Sequence, residues 1–143
     1  MLAIGSIFEQ KYEVLAELGK GGMGCVYLAQ DVSSGEKVAI KEQAKQSSHL
    51  KLLLSEINIQ KKLNHVSLPR IIFTCDDAEN VYIVMEYISG VTLNQLIKET
   101  SGFDEQRVIK WGNQLNDILI YLHDLENPVV FRDLKPSNIM IDE

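Results

Sequence analysis

The hydrophobic period of this 143-residue chain changes along its length, and that change restricts the possible folds more than any single motif does. From Tyr12 to Leu18 the residues alternate, with Tyr12, Val14, Ala16 and Leu18 expected on one face. A period of two marks a strand with one buried face. Cys25–Ala29 repeats the signal after a glycine cluster, giving a hairpin, and Glu36–Lys41 follows a Ser-Ser-Gly turn. Between His49 and Leu63 the period becomes helical, because Leu50, Leu53, Leu54 and Ile57 fall at i, i+3, i+4 and i+7. Strand patterns return at Arg70–Cys75 and Val81–Tyr87, on either side of the polar turn 76–80. The expectation is a five-stranded antiparallel sheet with one helix.

After Ser89-Gly90 the strands give way to helices. Thr92 and Gln95 have capping-box spacing and open a short helix containing Leu93, Leu96 and Ile97. Asp104 and Glu105 suit the positive end of a longer helix, whose apolar stripe is Val108, Trp111, Leu115, Ile118, Leu119 and Leu122. Near the end, Val129-Val130-Phe131 and Ile139-Met140-Ile141 read as two short strands around a polar loop. The fold class is therefore α+β in two lobes, residues 12–88 and 89–143.

With 45% hydrophobic and 24% charged residues, the chain has the composition of an ordinary globular protein. Its formal charge of -6 argues against a field that attracts nucleic acid, so an anionic ligand needs a local cationic pocket. Cys25 and Cys75 lack the spacing of a zinc site or disulfide framework and fit reduced thiols in the cytoplasm. The start, MLAIGSIF, lacks the positive segment of a secretory signal, and no apolar run reaches the roughly 18–20 residues of a membrane span. Cytoplasmic localisation is the expectation, with no membrane partner indicated in this segment.

Four groups of residues carry candidate chemistry. Gly19, Gly21 and Gly24 form GxGxxG and lead into a strand, which fits either a phosphate-covering loop or a loose hairpin turn. The helix-first arrangement of a dinucleotide fold is excluded. Lys41 ends the strand Val38-Ala39-Ile40-Lys41, and Glu56 lies in the helical stripe Leu52, Glu56, Ile59 and Leu63. A carboxylate in such a stripe needs a cation, and Lys41 is the candidate partner. VYIVMEYISG is a buried central strand that ends at a crossing where backbone groups can meet a planar base. Asp133, Lys135 and Asn138 fit either a polar surface turn or a site with a base, a cation and a magnesium ligand.

In sequence order, Gly19-x-Gly21-x-x-Gly24-x-Val26, Val38-Ala39-Ile40-Lys41, Glu56 and Arg132-Asp133-Leu134-Lys135-x-x-Asn138 resemble the first part of a bacterial-type (eukaryotic-like) serine/threonine protein kinase domain. The resemblance implies a kinase-like fold over residues 12–143, with a whole N-lobe and the first helices and catalytic loop of a truncated C-lobe. It also implies ATP and Mg²⁺ as ligands and a protein as substrate. ATP would be bound by Leu18, Gly19, Gly21, Gly24, Val26, Ala39, Lys41, Glu56, Met85, Glu86 and Ile88, with Glu56 orienting Lys41 and Met85 guarding the back of the adenine pocket. Asp133 would be the catalytic base, Lys135 the phosphate-stabilising cation and Asn138 the metal ligand.

Three departures from the family pattern bear on activity. Phe131 stands where a histidine is usual before Arg-Asp, and Gln60 where an apolar residue is usual behind the helix glutamate. The sequence also stops before an Asp-Phe-Gly motif, so the expectation is that the 143 residues alone are inactive. The alternatives are a non-catalytic nucleotide-binding or interaction module, and a gene fragment without an independent role.

Overall fold

A computed structural model describes residues 1–21, 24–45 and 50–142. The chain forms two compact units, Met1–Asn64 with Pro69–Tyr87, and His65–Leu68 with the residues from Ile88 onward.

The first unit is built on a six-stranded antiparallel sheet in the order β1-β2-β3-β4-β6-β5. Its strands are β1 (Ile7–Phe8), β2 (Tyr12–Gly21), β3 (Gly24–Asp31), β4 (Lys37–Ala44), β5 (Ile71–Asp76) and β6 (Asn80–Glu86), and α1 (Leu50–Gln60) lies between β4 and β5 in sequence. All five expected strands are present, and β1 adds a sixth. Two residues are too few to show alternation, and the turn into β2 uses Glu9 and Gln10 at φ 51° and 54° without a glycine to mark it.

β2 carries two bulges, where pairing shifts between Val14 and Ala16 and again between Glu17 and Gly19. Each bulge inserts an unpaired residue and moves the face on which later side chains fall. Tyr12 and Val14 are buried as the alternation predicts, whereas Leu18 is exposed.

Two cores lie on opposite faces of this sheet. One holds Phe8, Tyr12, Val14, Cys25, Tyr27, Ala29, Val38, Ile40, Tyr82 and Val84, with Leu2 and Cys75 packed against them. The other joins Leu53 and Ile57 of α1 to Val81 and Ile83, with Leu50, Ile71 and Met85 beside them. Each large side chain so buried contributes about 1.5–3 kcal/mol. α1 thus seats the Leu50–Leu53–Ile57 face, and the stripe containing Leu52, Glu56 and Ile59 is exposed.

The second unit contains β7 (Gly90–Thr92), α2 (Leu93–Glu99), α3 (Glu105–His123), a 3-10 turn at Pro136–Asn138 and β8 (Met140–Asp142). Thr92 and Gln95 close the expected capping box on α2, and Asp104 caps α3 by accepting from the Arg107 amide at 2.9 Å. β8 pairs with β7, placing Met140 opposite Thr92 and Asp142 opposite Gly90. A Cβ on Gly90 would come 2.1 Å from the Ile141 carbonyl oxygen, so this approach requires glycine. Val129–Phe131 forms no strand; the Val129 amide donates instead to the carbonyl of Leu122, near the end of α3, at 2.9 Å. Among the described residues of this unit Leu122 alone is buried, while Trp111, Leu115, Ile118 and Leu119 of the α3 stripe are partly buried and Val108 is half exposed. No helix among the described residues is long and apolar enough to cross a membrane.

Candidate functional site

In the first unit the sheet gathers five of the sequence-predicted residues onto one face. Val26 is opposite Gly19 on one side and Lys41 on the other, and Lys41 is opposite Ile83. Directly opposed residues of an antiparallel ladder share a face. One row further along, Ala39 is opposite both Leu28 and Met85. Gly19, Val26, Lys41, Ala39 and Met85 are therefore co-facial, on the side where α1 packs against Ile83 and Met85. Leu18 sits at the second bulge of β2, outside the paired register, and is 48% exposed.

Gly21 is opposite Gly24, and these two glycines flank positions 22 and 23, which lie outside the described residues. Gly24 has φ +131°, and a Cβ there would fall 1.9 Å from the carbonyl oxygen of Glu42. Among the described residues, chain neighbours apart, no heavy atom lies within 4 Å of the corresponding positions on Gly19 and Gly21. Gly24 is thus needed for the fold itself, while the first two glycines leave room beside the backbone.

Lys41 and Glu56 are not paired. Among the described residues no ion pair joins them, Lys41 is half buried, and Glu56 is exposed on the outer side of α1. The physical reason is the choice of helix face: seating Leu53 and Ile57 turns Glu56 outward. The Lys41 ammonium is left without a carboxylate partner among the described residues.

Glu86 ends β6 and binds Arg70 twice, through Oε1 to the guanidinium at 2.9 Å and Oε2 to the backbone amide at 3.0 Å. Its own amide donates to the Arg70 carbonyl at 3.0 Å.

In the second unit, Asp133, Lys135 and Asn138 form a tight cluster. Lys135 Nζ is 2.7 Å from Asp133 Oδ2, and Asn138 Nδ2 donates to that oxygen at 3.0 Å and to the Asp133 carbonyl at 2.9 Å. Pro136 opens the 3-10 turn that brings Asn138 back, closed by the Asn138 amide on the Lys135 carbonyl at 2.9 Å. The loop is anchored by β8 on β7 and by the Leu93 amide on the Ile139 carbonyl at 2.8 Å. The bond from Lys135, then that from Asn138, holds the Asp133 carboxyl below its usual range, so it is an ionised acceptor at neutral pH. Ile88, also in this unit, is half buried.

A magnesium ion takes hard oxygen donors and keeps several waters. Asn138 spends its nitrogen on Asp133, leaving its amide oxygen for such an ion, and the Asp133 carboxylate is a second oxygen source. No group of three His, Cys, Asp or Glu residues among the described residues is arranged to hold a metal. These donors fit an ion that is also held by phosphate oxygens.

Sequence reasoning passed over Glu42, which is 5% exposed yet charged. The signal was present: Glu42 follows Val38 and Ile40 at steps of two, in the buried row of β4.

Residues 12–143 match the protein kinase domain family. Serine/threonine-protein kinase PrkC of Bacillus subtilis is 30% identical over 145 residues, covering 99% of this chain and 22% of that protein. Mitogen-activated protein kinase kinase kinase 3 of Arabidopsis thaliana is 31% identical over 134 residues, 87% of this chain and 20% of the relative. Aurora kinase A-A of Xenopus laevis is 32% identical over 136 residues, 92% of this chain and 33% of the relative. The chain therefore spans a third or less of the length of these relatives. A match across residues 12–143, nearly the whole chain, makes this chain a member of the protein kinase family.

Proposed function

We propose that residues 12–143 supply the ATP-binding and catalytic-loop part of a cytoplasmic serine/threonine protein kinase domain, residues 12–88 as its N-lobe and 89–143 as the start of its C-lobe. The complete domain transfers the γ-phosphate of ATP to a serine or threonine hydroxyl of a protein. The observation that carries this reading is the convergence of Lys135 and Asn138 on the same Asp133 oxygen. A carboxylate so held is ionised and oriented to take the hydroxyl proton as the oxygen attacks phosphorus. Lys135 offsets charge on the phosphoryl group.

In the same reading Gly19, Gly21 and Gly24 present backbone to the ATP phosphates, and Lys41 brings an unpaired ammonium to them. Leu18, Val26, Ala39 and Met85 supply apolar surface for the base, with backbone groups at Glu86 and Ile88 meeting its edge. Asn138 holds Mg²⁺, which when bound neutralises phosphate charge. Free Cys25 and Cys75 support a reducing compartment, and the net charge of -6 supports protein rather than nucleic acid as the second substrate.

The exposed Glu56 favours a second reading, a nucleotide-binding module without catalysis. Calorimetry with ATP, with and without Mg²⁺, and a radiolabelled phosphotransfer assay separate the two. The kinase reading expects Mg²⁺-dependent ATP binding by the chain and no transfer by these 143 residues alone. Binding that is indifferent to Mg²⁺ and to Asp133→Asn would favour the non-catalytic module. Transfer abolished by both Lys41→Met and Asp133→Asn would overturn the expected inactivity.

A further inference from the structure

Glu42 is the most buried charged side chain among the described residues, and its three partners come from two places in the chain, the amino terminus and β3. Oε2 accepts from the Leu2 backbone amide at 3.0 Å and from the Tyr27 hydroxyl at 3.1 Å, and Oε1 is 2.7 Å from the α-ammonium of Met1. Replacing a buried ionic group by an apolar one of similar volume is often neutral or stabilising, so a carboxylate kept here calls for a reason beyond stability.

The reason suggested by the geometry lies in the Glu42 backbone. Glu42 is opposite Cys25 on β3 and Tyr82 on β6. Its carbonyl is the group against which Gly24 packs so closely that no Cβ fits. Lys41 is its covalent neighbour and points to the other face of the sheet, since successive strand residues alternate. One residue thus binds the amino-terminal segment through its side chain, touches the third glycine through its carbonyl, and is joined to Lys41 by a peptide bond.

The amino-terminal segment is held at both ends. Ile7 and Phe8 pair with β2, the Gly5 amide donates to the Val14 carbonyl at 2.7 Å, and the Val14 amide donates to the Ser6 carbonyl at 2.9 Å. Leu2 packs on the core beside Phe8 and Tyr27. Between these anchors Ala3 and Ile4 are exposed, which makes Glu42 the polar clasp for the first end.

We propose that Glu42 is a positioning residue: by clasping the segment Leu2–Phe8 it fixes the β4 backbone against Gly24 and so sets Gly24 and Lys41 for the nucleotide. The nucleotide half of this inference rests on the kinase reading; the coupling between segment and loop does not. Burial alone pushes the Glu42 carboxyl up, but the α-ammonium, the Leu2 amide and the Tyr27 hydroxyl together bring it below its usual range, so it is ionised in the clasp.

Hydrogen exchange on the full chain, read by mass spectrometry beside ATP calorimetry, tests the coupling. Glu42→Gln keeps the shape and loses the charge, while Leu2→Pro removes the amide donor and leaves Glu42 in place. Both variants are expected to speed exchange at residues 3–6 and also at 24–26 and 41–43, with 81–84 unchanged. ATP affinity should fall about five- to tenfold, the scale of a modest coupling between sites. Faster exchange confined to residues 3–6, with wild-type ATP affinity, would reduce Glu42 to a local anchor and overturn the inference. If the wild-type chain binds no ATP, the kinase reading fails, and the exchange at 24–26 and 41–43 still decides the coupling. A uniform rise everywhere in both variants would also overturn it, because it would show general destabilisation.

Discussion

Gly24→Ala separates the glycine that the fold requires from those that a ligand requires. The new methyl group would fall 1.9 Å from the Glu42 carbonyl oxygen, 3.0 Å from its carbon and 3.1 Å from Gln43 Cα. These are backbone atoms within the β3–β4 ladder, so no side-chain rotation relieves the clash, and the strands must part where Cys25 faces Glu42. Holding a non-glycine residue at φ +131° costs about 1–3 kcal/mol. Forcing a methyl into packed backbone costs about 1–3 kcal/mol more. Together the loss is roughly 2–6 kcal/mol, a large part of the typical total of about 5–15 kcal/mol. Urea denaturation followed by circular dichroism should show the midpoint falling by roughly 1–3 M, given a slope of about 2 kcal/mol per molar, in the middle of the range for small proteins. Gly19→Ala and Gly21→Ala are the controls, because their Cβ positions are open. Both should hold the wild-type midpoint while weakening ATP binding. A Gly24→Ala midpoint equal to wild type, or a Gly21→Ala midpoint as low as that of Gly24→Ala, would refute the assignment.

Two further outcomes follow from the ion pairs. Lys41→Met and Glu56→Gln should each leave the thermal midpoint unchanged to within about 0.5 kcal/mol of stability, because neither group has an ion-pair partner among the described residues; Lys41→Met should still weaken ATP binding, which calorimetry measures. Asp31 accepts from the Ser33 hydroxyl and amide and from the Ser34 amide and pairs with Lys11, bonds that lower its carboxyl from the ordinary 3.8 to about 2. A depressed carboxyl stabilises the folded chain fully above its unfolded value and ceases to do so as pH falls through the folded one. Stability should therefore decline from about pH 4 toward pH 2, and Asp31→Asn should flatten that limb of an acid titration followed by circular dichroism.

How much of this was legible depends on whether the deciding interaction was local. The alternation of β3 buries Cys25, Tyr27, Ala29 and Asp31 in strict sequence, and the Thr92–Gln95 box needs only one helical turn, so both could be read from neighbours. The β2 bulges and the turn at Glu9-Gln10 depend on pairing with residues elsewhere and left no composition signal. α1 offered two apolar stripes, and the choice of Leu53 and Ile57 over Leu52 and Ile59 was made by the β6 surface that receives them. That choice also determined the side of the helix on which Glu56 lies. Spacing grouped Asp133, Lys135 and Asn138, and the structure brings them together, but the shared oxygen at Asp133 required the 3-10 turn to be seen. Val129–Phe131 had strand composition but pairs with no strand among the described residues, so it forms no regular element.

The pairing of Gly90 with Asp142 ties together positions about fifty residues apart. Closing a ring of that size carries an entropic cost that grows only slowly with length, yet it must be met before the two strands reward it. The segment 133–138 lies just inside that closure. Its shape therefore matures late, after the hairpins of the large sheet, and depends on a β-strand that precedes it by some forty residues. A nascent chain would acquire its large sheet first and its acid–amide cluster only when β8 arrives to meet β7.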